Sequence, residues 1–66
     1  MKADPLATPE EVAEFLQKPV KTVAEWRSKG RGPRYFKLDN GHIRYDWGDV
    51  RAWLADQAVT PGQVVA

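Results

Sequence analysis

A proline at position 19 divides the first thirty residues into two segments that each have a helical pattern. Proline cannot continue a helix, because it lacks an amide proton and its ring clashes with the preceding turn, but it can begin a new one. The first helix is therefore predicted to end near Gln17, and a second to run from about Pro19 to Lys29. Gly30 follows as a natural C-terminal cap. Two helices joined by so short a turn are a helix-turn-helix candidate.

The first helix has a clear start signal. Thr8 is predicted to be its N-cap, Pro9 suits the first helical position, and Glu11 at the third position completes a capping box. Apolar side chains at helical spacing follow in both helices, so each has one face for a core. These residues are Val12, Phe15 and Leu16 in the first helix, and Val20, Val23 and Trp26 in the second.

The residues after the second helix predict a β-hairpin. A strand over Tyr35–Leu38 is followed by the tight turn Asp39-Asn40-Gly41, and Asn-Gly is the strongest short hairpin signal. The second strand, from His42 to Trp47, alternates between apolar and polar residues. Its inward residues are Ile43, Tyr45 and Trp47. A two-stranded hairpin is unstable alone, so it must pack on the helices.

A third helix is predicted after the hairpin and fades near Gln57. Asp46 can cap it, with Asp49 as an acidic variant of the capping-box partner. Its apolar stripe is Val50, Trp53 and Leu54. The order helix, helix, strand, strand, helix predicts an α+β fold, a small winged helix-turn-helix. We place this domain at residues 8–57, between a flexible lead (1–7) and a flexible tail (58–66).

Composition narrows the possible functions. The 66 residues contain no cysteine, which excludes disulfides and cysteine-based zinc sites, and one histidine cannot form a metal site alone. We find no nucleophile–base set and no glycine-rich phosphate loop, so no enzyme activity, cofactor or metal is expected. No apolar run approaches the roughly 20 residues that cross a bilayer. The expectation is a cytoplasmic protein without membrane contact.

Charge is distributed unevenly along the chain. From Lys18 to Arg44 there are eight basic and two acidic residues, a net charge of +6. The remaining residues include two basic and seven acidic ones, a net charge of −5. A basic centre with acidic flanks indicates one cationic face turned toward a polyanion.

The second helix is predicted to meet double-stranded DNA, because the major groove admits one α-helix. Its outward face carries Lys21, Thr22, Glu25, Ser28 and Lys29. A carboxylate near DNA is costly unless it accepts a hydrogen bond, and Glu25 could accept one from a cytosine amine. The alternative is an ordinary solvated face with an ion pair between Glu25 and Lys29. The surrounding basic segment favours the DNA interpretation.

The hairpin is predicted to act as a wing that reaches the minor groove or the phosphates. Its candidate contacts, with the preceding loop, are Arg31, Arg34, Lys37, Asn40, Gly41, His42 and Arg44. A hairpin that only covers the core would explain the strands but not this basic cluster, although a lone turn histidine is usually just solvated. Three tryptophans could stack on single-stranded bases. Their places on apolar stripes favour a role in the core.

The ordered segments of residues 6–57 resemble the MerR-like winged helix-turn-helix family, and within it the short excisionase and AlpA-type proteins of phages and integrated elements. The matching segments are 9–16, 22–23, 26–27, 30–33, 41–45, 49–50 and 53–54. The resemblance implies that the second helix enters the major groove and that the wing contacts the backbone or the minor groove. It carries Thr22, Arg27 and Arg44 over as DNA contacts.

The resemblance also implies a function. The leading hypothesis is an excisionase, or recombination directionality factor, that bends attachment-site DNA and promotes excision by an integrase in a bacterial host. Cooperative self-assembly on adjacent sites and contact with the integrase would be expected. One alternative is a small AlpA-type transcriptional regulator that uses the same face. A second is a protein-interaction module that does not bind DNA.

Overall fold

A computed structural model of the chain describes residues 5–59 and residue 61. The elements are α1 (Pro9–Leu16), α2 (Val20–Ser28), β1 (Phe36–Lys37), β2 (Ile43–Arg44) and α3 (Trp47–Asp56). This order confirms the predicted arrangement of three helices and a hairpin. None of the helices in the described part is long and apolar enough to span a bilayer.

The capping box that starts α1 is formed as predicted. The amide of Glu11 donates to the Thr8 hydroxyl at 3.1 Å, and the amide of Thr8 donates to the Glu11 carboxylate at 2.9 Å. The helix ends at Leu16, and Gln17 takes the left-handed conformation with φ 58°. The capping box supplies hydrogen-bond acceptors to the amides of Thr8 and Glu11, which have no partner within the helix. The left-handed Gln17 turns the chain toward the next helix.

Replacing Thr8 with alanine is expected to lower the free energy of unfolding by about 1 kcal/mol, because it removes the hydroxyl that caps α1. Urea denaturation followed by circular dichroism measures this loss. Thr8→Ser is the matched control, since it keeps the hydroxyl and should stay close to the parent. Equal stability of the alanine and serine variants would contradict the role assigned to the cap.

The starts of α2 and α3 differ in one detail each from the prediction. Pro19 is the N-cap of α2 rather than its first helical residue, so the helix begins at Val20. The Asp46 carboxylate caps α3 as predicted, accepting from the Gly48 amide at 2.9 Å. The predicted capping-box role of Asp49 is wrong. Its carboxylate instead lies 3.9 Å from the Arg34 guanidinium.

The wing is a short antiparallel hairpin in which Phe36 pairs with Arg44 and Lys37 with Ile43. The Gly41 amide donates to the Leu38 carbonyl at 2.8 Å, which closes the predicted three-residue turn. Gly41 has φ +85°, a conformation that glycine adopts without steric cost. Both strands are shorter than predicted, and Trp47 begins α3 instead of ending the second strand.

The chain before α1 contributes to the sheet region. Ala7 and Tyr45 exchange two backbone hydrogen bonds of 2.7 and 2.8 Å, and Ala7 is completely buried. The folded unit therefore includes Ala7, which the sequence had assigned to a flexible lead. Residues 1–4 of that lead lie outside the described residues, as does most of the predicted tail at residues 58–66.

The core is small and lies where the three helices meet the base of the hairpin. Each helix contributes one fully buried valine near its middle, whereas one other residue of each predicted apolar stripe stays exposed: Phe15, Val20 and Leu54. The buried apolar residues are Ala7, Val12, Ala13, Val23, Tyr45 and Val50. Four partly buried side chains pack on them: Leu16, Trp26, Ile43 and Trp47. A chain of this length has too little mass to cover every apolar side chain.

Candidate nucleic-acid interface

Helix α2 packs against α1, the base of the wing and α3, and its remaining face is exposed to solvent. On one side the Arg27 guanidinium donates to the Tyr45 hydroxyl at 3.2 Å and lies 5.9 Å from the centre of the Tyr35 ring. On the other side Trp26 packs against Trp53 of α3, with ring centres 5.1 Å apart. The helix is thus fixed between the wing and α3, which defines the direction of its outer face.

The outer face of α2 carries the residues that the helical pattern placed there. Exposed side chains are Lys21, Glu25, Ser28 and Lys29, with Thr22 half-buried at the edge. The alternative interpretation predicted an ion pair between Glu25 and Lys29. Among the described residues the only ion pair is Arg34–Asp49. The charged ends of Glu25 and Lys29 are therefore separate and can each meet a ligand.

The start of α2 is electrostatically different from the starts of the other helices. The first turns of α1 and α3 contain acidic residues and have side-chain caps, Thr8 and Asp46. The first turn of α2 has no acidic residue and no capping hydrogen bond from its N-cap, Pro19. Its second residue is Lys21. The positive end of the helix dipole and a lysine therefore coincide, and both attract a negatively charged ligand such as a nucleic acid.

The loop between α2 and β1 holds two arginines next to this helix. Gly30 and Gly32 both have positive φ, and the Arg31 amide donates to the Trp26 carbonyl at 2.7 Å. The side chains of Arg31 and Arg34 are exposed. The Arg34 guanidinium carbon lies 5.0 Å from the centre of the Phe36 ring, within the range of a cation–π contact. The loop thus extends the cationic surface from α2 toward the wing.

Replacing Gly32 with alanine is expected to be more destabilising than the same change at Gly30. Both positions have positive φ, which costs an alanine about 1–2 kcal/mol. A methyl group at Gly32 would also lie 3.0 Å from two carbon atoms of Trp26, whereas nothing lies within 4 Å at Gly30. Overpacking of this kind adds about 1–3 kcal/mol. Urea titrations of both variants measure the difference, and equal losses would show that the loop yields without moving Trp26.

The predicted contact residues of the wing differ in how exposed their side chains are. The side chains of Lys37, Asn40 and His42 are exposed, as is Gly41 at the tip. The Asn40 side-chain oxygen accepts from the His42 amide at 3.1 Å, which stiffens the turn. Arg44 is half-buried, and its guanidinium donates to the carbonyl of Ile43 at 2.7 Å. The exposed tip and Lys37 are therefore the parts of the wing best placed to reach a partner.

Arg27 is one of the predicted DNA contacts, and one nitrogen of its guanidinium donates to the Tyr45 hydroxyl at the base of the wing. Its partner Tyr45 was predicted only as a core residue, and the role of its hydroxyl was missed. The alternation of apolar residues revealed that Tyr45 points inward. That alternation gave no signal for a hydrogen bond between the Tyr45 hydroxyl and Arg27, which lies 18 positions earlier in the chain.

The tryptophans pack in pairs within the fold. Trp26 contacts Trp53, and Trp47 meets Phe15 edge-to-face at 5.3 Å. Trp26 and Trp53 line an open groove of about 670 Å³ together with Leu16 and Leu54. These contacts support the interpretation that the tryptophans pack within the fold rather than stack on the bases of a single strand.

Comparison with protein families identifies a match to the helix-turn-helix domain over residues 8–58. A comparison with curated proteins finds no match, and neither does a comparison with solved structures. The family match covers most of the chain and includes all three helices and the wing. The chain therefore belongs to the helix-turn-helix domain family and is a DNA-binding helix-turn-helix protein with a small β wing.

Proposed function

We propose that this protein is an excisionase-type architectural factor, which binds attachment-site DNA, bends it and promotes integrase-mediated excision. The observation that carries the DNA-binding part is the outer face of α2. It exposes Lys21, Glu25 and Lys29 beside an uncapped helix start, while the rest of the helix packs against α1, the base of the wing and α3. The resemblance to the MerR-like excisionase and AlpA branch supports the role in recombination.

In this proposal α2 is the recognition helix and reads the major groove. Lysine can donate to guanine and a carboxylate can accept from cytosine, so Lys21 and Glu25 supply complementary base contacts. Thr22, Ser28 and Lys29 add contacts to base edges or phosphates. The cost of placing Glu25 near DNA is offset only where a cytosine amine meets it, so this residue contributes to sequence preference.

The loop and the wing supply contacts that are largely independent of sequence. Arg31, Arg34 and Lys37 are exposed cations suited to phosphates. Asn40, Gly41 and His42 form the tip, which would enter the neighbouring minor groove or follow the backbone. Arg44 would add a phosphate contact through the guanidinium nitrogens that its bond to Ile43 leaves unused.

A single domain of this size covers about 600–1,000 Å² of protein surface on DNA, which is modest for specific binding. Adjacent sites occupied side by side would increase the total affinity without new base contacts. We therefore propose cooperative assembly on neighbouring sites, with the integrase as a protein partner and a bacterial cytoplasm as the setting.

The proposal is tested by a gel-shift titration at low and moderate salt. The probes are a random duplex and the DNA that flanks the gene, the latter as circularly permuted fragments so that a bend changes mobility. Stepwise, salt-sensitive binding with a bend supports the proposal, and a recombination assay with the neighbouring integrase then measures excision directly. A single unbent complex at a promoter would indicate a transcriptional regulator. No binding to any duplex at low salt would contradict the proposed DNA contacts.

A further inference from the structure

We infer that Arg27 and Tyr45 set the angle between the recognition helix and the wing, so that Arg27 is a positioning residue for DNA binding. The inference rests on the proposed function, because the angle matters only if helix and wing engage one duplex together. It starts from the single hydrogen bond between Arg27 and the Tyr45 hydroxyl at 3.2 Å. Among the described residues this is the only hydrogen bond that joins two side chains.

Two contacts fix the Arg27 guanidinium in different directions. One edge donates to Tyr45, and the guanidinium carbon lies 5.9 Å from the centre of the Tyr35 ring. The two tyrosine rings are themselves 6.1 Å apart, so the three side chains form one cluster. A planar guanidinium can bond through its edge and contact a ring at the same time, which a lysine ammonium cannot reproduce.

Tyr45 transmits this constraint into the hairpin base. Its side chain is 1% exposed, and its backbone exchanges two hydrogen bonds with Ala7. Tyr45 is therefore immobile relative to the core, and it directly follows β2. The wing itself has only two residue pairs in its ladder and projects outward from this anchor. Because so short a ladder resists bending weakly, its direction depends on what holds its base.

The consequence for DNA binding is geometric. Helix and wing would occupy neighbouring grooves, and both can bind at once only when their relative direction matches the duplex. A fixed angle keeps the wing at a high effective concentration near its groove after the helix has bound. Loss of the Arg27–Tyr45 bond should weaken the wing contacts while leaving every DNA-facing side chain in place.

The test compares Tyr45→Phe with Tyr35→Phe. The first removes the hydroxyl that accepts from Arg27, and the second removes a hydroxyl from the neighbouring ring while keeping that ring beside the guanidinium. We expect Tyr45→Phe to weaken binding to the flanking DNA by about fivefold to tenfold, because the wing is no longer held in its binding orientation before it meets the DNA. Tyr35→Phe should stay within about twofold of the parent, because it keeps the bond between Arg27 and Tyr45. Binding is measured well below the lowest unfolding temperature of the set, so that all variants are folded.

A second measurement distinguishes a misplaced wing from a general loss of stability. Lys37→Ala probes the wing and Lys21→Ala probes the helix, each in the parent and in Tyr45→Phe. If Arg27 and Tyr45 position the wing, the penalty of Lys37→Ala shrinks in the Tyr45→Phe background, and that of Lys21→Ala does not change. Penalties that stay the same for both lysines, or shrink equally, would overturn the inference.

The angle can also be tested without DNA. Residual dipolar couplings of backbone amides in α2 and the hairpin report their relative orientation in the free protein. One rigid orientation is expected for the parent and for Tyr35→Phe, and reduced order of the hairpin for Tyr45→Phe. An unchanged orientation and order in Tyr45→Phe would overturn the inference even if DNA binds. A loosened hairpin in a protein that binds no duplex would instead count against the proposed function alone.

Discussion

Replacing Val50 with aspartate is expected to leave the chain unfolded at room temperature. Val50 is completely buried in α3 and belongs to the core cluster. A carboxylate at this position would lose its water shell without gaining a partner, at a cost of several kcal/mol. A 66-residue domain sits near the lower end of the roughly 5–15 kcal/mol that stabilises native proteins. The cost is therefore comparable to the whole stability.

Circular dichroism and tryptophan fluorescence measure this loss, because both helix content and the environment of the packed tryptophans should change together. Ala52→Asp is the matched control. It introduces the same charge into the same helix at an exposed position. The control should fold, with a loss of about 0.5–1 kcal/mol, because aspartate has a lower helix propensity than alanine. A folded Val50→Asp protein would mean that the core opens to water far more easily than its packing indicates.

Replacing Lys21 with alanine is expected to change which DNA sequence is preferred. Lys21 is exposed on the outer face of α2, in the first turn. A specific contact from a side chain to a base edge is worth about 1–3 kcal/mol of discrimination, so preference at one base pair should fall about fivefold to 150-fold. Competition gel shifts with duplexes that differ at single positions measure this preference directly.

Arg51→Ala is the control for the effect of charge alone. Arg51 is exposed on α3 and lies outside the basic segment and the outer face of α2. Its loss removes one positive charge, as Lys21→Ala does, and should leave the order of preferred sequences unchanged. If both variants weaken all duplexes by the same factor, Lys21 contacts phosphate or solvent, and base readout must come from other residues of the helix.

The local features of this fold could be predicted because their causes are local. The hydroxyl of Thr8 and the carboxylate of Glu11 lie three residues apart, which is the spacing at which each can reach the other's amide. Pro19 ends one helix and precedes the next whatever surrounds it. Gly41 closes a turn that needs a positive φ. The exposed face of α2 follows equally directly from the helical period.

The two errors in the assignment of the elements and their caps have different causes. Asp49 has the right spacing for a capping box, but the carboxylate is drawn toward Arg34 from another element. The second strand is alternating through Trp47, yet α3 begins there because the Asp46 cap already starts the helix. The ion pair of Asp49 cannot be read from spacing, because it depends on how the loop that carries Arg34 approaches α3. The start of α3 has a local cause, since the Asp46 cap lies within the same segment.

The sequence by itself determined the order of the elements, their caps and turns, and the set of polar side chains that face outward from α2. These follow from interactions within a few residues, which operate before the chain is compact. Only the tertiary structure decided that Ala7 joins Tyr45, that the Arg27 guanidinium donates to the Tyr45 hydroxyl, and that Phe15, Val20 and Leu54 stay exposed. Such features depend on contacts between residues far apart in the chain, whose partners are fixed only when the helices and the hairpin pack around one small core.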